Sequence, residues 1–94
     1  MSSSAIEEIE GQKGVLRLLV YLYNVEEVNF QKILDETNLY ARIVKNSVAI
    51  LEKNGLAITK VDRTSYPPKN MVSLTKKGKR VAEKIKEIEE IIDI

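Results

Sequence analysis

A mainly α fold with one small β-hairpin, in the order α-α-α-β-β-α with a long last helix, is the class this chain predicts. Three observations carry it. Apolar residues recur at helical spacing over residues 13–23, 30–36, 41–53 and 76–92. Residues 51–84 run from a helix end at Lys53-Asn54-Gly55, through two strand-like segments, into a new helix. Between those segments Tyr66-Pro67-Pro68 interrupts the pattern where a hairpin needs its loop.

Ser4 and Glu7 stand at capping-box spacing, Ile6 and Ile9 share a face, and Gly11 can stop the turn. Residues 1–12 therefore read as an N-terminal arm or short helix. Val15, Leu18, Leu19 and Leu22 make the stripe of the first core helix, about residues 13–23, and leave Arg17 outside. Residues 24–28 read as a connection. Asn29 is a good N-cap, and Phe30, Ile33 and Leu34 give a short second core helix ending near Glu36.

After the turn Thr37-Asn38-Leu39, Val44, Val48 and Leu51 form the inner stripe of a third core helix. Ala41 and Ser47 are small enough to pack closely against the second. Arg42, Lys45, Asn46 and Ala49 then face outward. Gly55 can take the left-handed conformation that closes a helix, and Leu56 and Ile58 begin a strand. Residues 64–70 are too proline-rich for a central strand and read as the loop, with residues 71–74 returning. Thr75 caps the last helix, where Val81, Ile85, Ile88 and Ile92 repeat at coiled-coil spacing. Packing on the first core helix accounts for its opening turns; a helix of ~25 Å at about 1.5 Å per residue outruns that cover.

Ninety-four residues fit one domain. With 0 Cys and 0 His the chain has no disulfide framework, no thiol switch, and neither the usual metal ligands nor the usual general base. Its fourteen carboxylates read mainly as solvent-exposed helix positions, no glycine loop cradles a phosphate and the Ser/Lys pairs have no motif spacing, so an enzyme is not expected, nor a metal or cofactor. Residues 1–4, Met-Ser-Ser-Ser, lack the basic start and apolar run of a signal peptide, and no apolar segment approaches the ~20 residues that span a bilayer; a cytoplasmic protein without a membrane partner is expected. The net charge of +1 hides a pattern. Residues 38–80 carry ten Lys/Arg against Glu52 and Asp62, whereas residues 1–37 carry three against seven and residues 81–94 two against five. Such a basic block suits a phosphate-binding surface, or equally a solvated face.

The succession of elements is that of a winged helix-turn-helix. It resembles the small bacterial and archaeal winged-helix regulators of the MarR and ArsR groups, whose recognition helix ends in Gly-Leu, here Gly55-Leu56, and whose wing closes with Leu-Thr-x-x-Gly, here Leu74-Thr75-Lys76-Lys77-Gly78. The likeness covers roughly residues 13–82. MarR-type wings carry Asp-Arg-Arg close before the second strand; this chain has Tyr66-Pro67-Pro68 near that place and its own Asp62-Arg63 earlier. The resemblance implies a winged-helix domain over residues 13–75, a C-terminal dimerisation helix over residues 76–94, and a homodimeric transcriptional regulator whose partner is double-stranded DNA.

A major groove admits one helix, and residues near that helix's N-terminal end reach base edges. Tyr40, Arg42, Lys45 and Asn46 are the candidates. Arg42 suits guanine and Asn46 adenine, while Tyr40 or Lys45 suits phosphate; a packing role at the turn is the alternative for Tyr40. Arg63 and Lys69 flank the wing tip. Lys76 and Lys77, followed by Lys79 and Arg80, open the last helix, where positive charge opposes the helix dipole and a nearby phosphate would supply a reason. Val81, Ile85, Ile88 and Ile92 are the expected dimer seam. The rival reading is a winged-helix protein–protein interaction module without DNA binding, which would tolerate basic side chains scattered over several faces.

Overall fold

Val15, Leu18, Leu19 and Leu22 are fully buried along one side of a single helix, and the other elements close around them. The computed structural model describes residues 4–93. It contains the helices α1 (Ser4–Gly11), α2 (Val15–Val25), α3 (Phe30–Thr37), α4 (Ala41–Lys53) and α5 (Lys76–Ile92), and the strands β1 (Glu27–Asn29), β2 (Ala57–Asp62) and β3 (Lys69–Leu74). The cap expected from the Ser4 side chain lies outside the described residues.

Around α2 the core gathers Ile33 from α3, Val44 and Leu51 from α4, Val72 and Leu74 from β3, and Ala82 from α5. Each fully buried Leu or Val contributes about 1.5–3 kcal/mol of hydrophobic free energy before chain entropy is subtracted. The stripes of α2 and α4 thus land as their spacing predicts, whereas Ile6 of α1 stays exposed. The close packing on α3 expected of Ala41 and Ser47 takes another form: Ser47 is fully buried against the residues that precede α2, its Oγ donating to the Lys13 carbonyl at 3.3 Å, and Ala41 is exposed. As the first residue of α4, Ala41 lies where the chain has only just turned away from α3.

Helix ends follow local chemistry. The Asn29 side chain accepts from the Lys32 amide at 2.8 Å, and the Thr75 side chain accepts from the Gly78 amide at 3.0 Å. Gly55, at φ 72°, closes α4 with amide bonds from Gly55 to the Glu52 carbonyl at 3.0 Å and from Leu56 to Leu51 at 2.8 Å. In the α3–α4 turn the buried Thr37 hydroxyl donates to the Ile33 carbonyl at 2.6 Å and accepts from the Leu39 amide at 3.3 Å, while Arg17 donates to the Thr37 carbonyl. That turn fixes how α4 leaves α3.

The sheet departs from the expected simple hairpin. It has three antiparallel strands in the order β1-β3-β2. Residues 27–29, within and just past the stretch read as a connection, pair with β3 through Glu27↔Ser73, Val28↔Val72 and Asn29↔Met71. The returning strand is therefore central, and it starts directly after Pro68, taking in Lys69 and Asn70 from the expected loop. Both prolines fall before the ladder and so remove no donor from it.

Candidate nucleic-acid interface

The site begins with the inner face of α4, because burying Val44, Ser47, Val48 and Leu51 turns the opposite row to solvent. Arg42, Lys45, Asn46 and Ala49 are all exposed, and their spacing of three, one and three residues sets them on one face. Tyr40, in extended backbone at φ −69° and ψ 149°, occupies the N-cap position, and its side chain is 80% exposed. A packing role for that ring at the turn is thereby set aside.

The hairpin runs back alongside α4. A cleft of about 220 Å³ has Lys45, Ala49 and Glu52 on one wall and Thr59, Asn70 and Val72 on the other. The wing tip thus lies towards the N-terminal half of α4. At the tip the Asp62 carboxylate accepts from the Thr64 hydroxyl at 2.5 Å, the Thr64 amide at 3.0 Å and the Ser65 hydroxyl at 3.5 Å. These bonds, the Thr64 hydroxyl foremost, hold Asp62 below the usual carboxylate range, and the ammonium of Lys69 adds to them. Arg63 and Lys69 are exposed on either side of this ordered turn.

A larger groove of about 720 Å³ separates the wing from the first turn of α3, with Lys69 and Asn70 facing Gln31 and Lys32. Lys32 thereby lies across the groove from Lys69, on an α3 wall that also carries Asp35 and Glu36. No motif marked it in the sequence; its place three residues after the Asn29 cap is the one signal that puts it at an exposed helix start.

Lys76 and Lys77 lie elsewhere. The Thr75 hydroxyl donates to the Gly55 carbonyl at 2.6 Å, and the Lys77 ammonium is 3.9 Å from where a β-carbon on Gly55 would stand. Both therefore sit at the C-terminal end of α4, roughly 20 Å along that helix from Arg42 at about 1.5 Å per residue. Their charge opposes the α5 dipole but faces the negative end of α4, a reason for lysine here that does not involve phosphate. Lys53, at the same end, is engaged by Glu8 of α1, whose carboxylate also accepts from Asn54 at 3.3 Å; the lysine bond, first, and the amide keep Glu8 below its ordinary range. The basic block is thus two groups, one around the start of α4 and the wing tip, the other around the start of α5.

Along α5, Val81 and Ile85 are half-buried against the core, whereas Ile88 is 54% and Ile92 73% exposed. Ile91, which lies off the 4-3-4 repeat, is 71% exposed and widens the apolar strip. The Tyr23 hydroxyl donates to Glu83 at 3.0 Å and the Lys86 ammonium lies 5.0 Å from the Tyr23 ring centre, tying the middle of α5 to α2. Among the described residues no group of His, Cys, Asp or Glu could hold a metal, and no helix is long and apolar enough to cross a membrane.

Solved structures share this architecture. A transcriptional regulator homologue from Pyrococcus horikoshii superposes with a TM-score of 0.75 at 22% identity, over 96% of this chain and 95% of that one. The reduced form of the regulator YodB from B. subtilis gives 0.76 at 20%, over 99% and 92%. A mutant of S. aureus MepR bound to an oligodeoxyribonucleotide gives 0.74 at 22%, over 96% and 68%. No curated protein matches the chain. The family model described as a winged helix DNA-binding domain matches residues 15–92, from the first buried residue of α2 to the last residue of α5. With its helix-turn-helix, its wing and its structural likeness to MarR-type transcriptional regulators, the chain belongs to the winged-helix DNA-binding domain family.

Proposed function

We propose that the chain is a homodimeric transcriptional regulator that binds double-stranded DNA sequence-specifically, with α4 in the major groove and the β2–β3 wing on flanking DNA. The observation that supports this best is the outward row of Arg42, Lys45 and Asn46 beside a wing that folds back along the same helix. In this reading Arg42 and Asn46 reach base edges, and Tyr40 and Lys45 hold phosphate. Arg63 and Lys69 lie on backbone or in a minor groove, whose potential favours inserted cations. Lys76 and Lys77 reach only a phosphate that passes the far end of α4. Residues 13–75 form the reading domain. Residues 76–94 provide the dimer helix, although Gly78 and Ala82 also complete the core.

The dimer rests on Ile88, Ile91 and Ile92, an apolar strip that a lone chain leaves in water. In this reading the protein acts in the cytoplasm. Selection of bound fragments from random DNA tests the function: a preferred, palindromic site is expected, and recovery of no preferred sequence would defeat it. The division of the basic residues into two groups favours a second reading, an interaction module without DNA binding. That module would retain no fragment at any salt concentration.

A further inference from the structure

We propose that α5 pairs antiparallel with α5 of a second copy, each seating its Ile88 and Ile91 beside Val81 of the other. The inference rests on the dimer reading above and adds its direction and register. Charge along α5 is strongly polar. Residues 76–84 carry five basic side chains against Glu83, and residues 85–93 carry Lys86 against four acidic ones. Parallel pairing sets like halves together throughout. Antiparallel pairing sets each basic half against an acidic one, and by two-fold symmetry does so twice.

The shape of the surface agrees. In its first half α5 is covered by its own domain, and beside half-buried Val81 it leaves a notch of about 230 Å³ walled by Lys77, Arg80 and Lys84. The second half offers exposed Ile88 and Ile91 with Glu87 and Glu90 next to them. An axis passing between Lys84 and Ile85 puts Val81 opposite Ile88. The branched side chain then enters the notch along the methylene stems of the basic residues, and Glu87 and Glu90 meet their charged ends. Within one chain the only close pair there among the described residues is Lys84–Glu87 at 3.7 Å, both exposed, which offers little resistance to an exchange of partners.

Because the chain has 0 Cys, a single Asp93→Cys substitution takes one spin label per copy. Sedimentation of the labelled, full-length protein is followed by a label-to-label distance measurement. Antiparallel pairing about that axis predicts about 25 Å or more, from the rise per residue on both sides of the axis and the helix separation, and parallel pairing about 10 Å. A charge exchange completes the test. Glu87→Lys with Glu90→Lys should weaken association at least tenfold, and adding Lys77→Glu with Arg80→Glu should restore it. A monomeric parent chain would overturn the dimer reading and this inference with it. A dimer with a short distance would overturn the direction alone, as would a dimer indifferent to the exchange.

Discussion

The carbonyl oxygen of Leu56 sits where a side chain on Gly78 would begin: a β-carbon there would stand 1.9 Å from that oxygen and 2.9 Å from the carbonyl carbon. The first turn of α5 therefore rests on the backbone that ends α4. Gly78→Ala cannot be absorbed by a rotamer change, since both contacting groups are main chain. We expect it to cost about 1–3 kcal/mol, after the better helix propensity of Ala is counted. Denaturant unfolding checks this; an unchanged midpoint would mean that α5 is not seated on Leu56.

On α4, Arg42→Ala and Lys45→Ala should weaken DNA binding and leave thermal unfolding alone, because both side chains are exposed. A lost base contact is expected to cost about 1–3 kcal/mol and relax specificity, and a lost phosphate contact to lower the salt slope by about one. Titrations at several salt concentrations separate the two. Parent-like affinity in both variants would remove α4 from the interface.

At the wing, changing Arg63 and Lys69 together to Ala should lower affinity on most sequences alike and preserve site preference. The Asp62 turn remains in that variant, so the tip keeps its shape. Binding as tight as the parent's at every salt concentration would show that the hairpin does not touch DNA.

Stability in alkali should depend on Tyr21. Its hydroxyl donates to Glu36 at 2.5 Å, and burial first, then the carboxylate, pushes the phenol up to about 12. The folded chain thus favours the neutral phenol relative to the unfolded chain, where it titrates near 10. This contribution is complete below about pH 10 and is lost as pH rises towards 12. Tyr21→Phe should flatten the decline of stability across that window, and parallel declines in the two proteins would refute the assignment.

For the C-terminal helix, Ile88→Lys should turn a dimer into a monomer, because it removes an apolar anchor and sets a cation against Lys77, Arg80 and Lys84 around Val81 of the second copy, at a cost of several kcal/mol. DNA affinity should fall steeply once two half-sites are no longer held at fixed spacing. Sedimentation decides it. The variant should keep the fold of the parent, since Ile88 lies outside the buried core.

Much of this structure is legible in the sequence because it is local. Stripes at 3.6-residue spacing, the caps at Asn29 and Thr75 and the stop at Gly55 depend on neighbours within one turn. β1 does not: three residues are too few for alternation to show, and their partners at Met71, Val72 and Ser73 lie more than forty residues away. For the same reason the sequence shows β3 only as the return of a hairpin and not as the centre of a sheet. The outward row on α4 follows from periodicity, but the two-part division of the basic residues needs the contact of Thr75 with Gly55, and Lys32 needs the groove beneath the wing.

The ladder between β1 and β3 ends at Asn29↔Met71, while β2 and β3 continue together through Val61↔Asn70 and Asp62↔Lys69. The wing therefore has a three-ply root anchored to the interior through Val28 and Val72, and a two-ply tip that owes nothing to β1. The change from three strands to two falls at Met71, where bending of the hairpin is expected to concentrate. Arg63 and Lys69 flank the two-stranded part, so in the proposed complex the tip would follow the local width of a groove while α4 keeps its place in the fold.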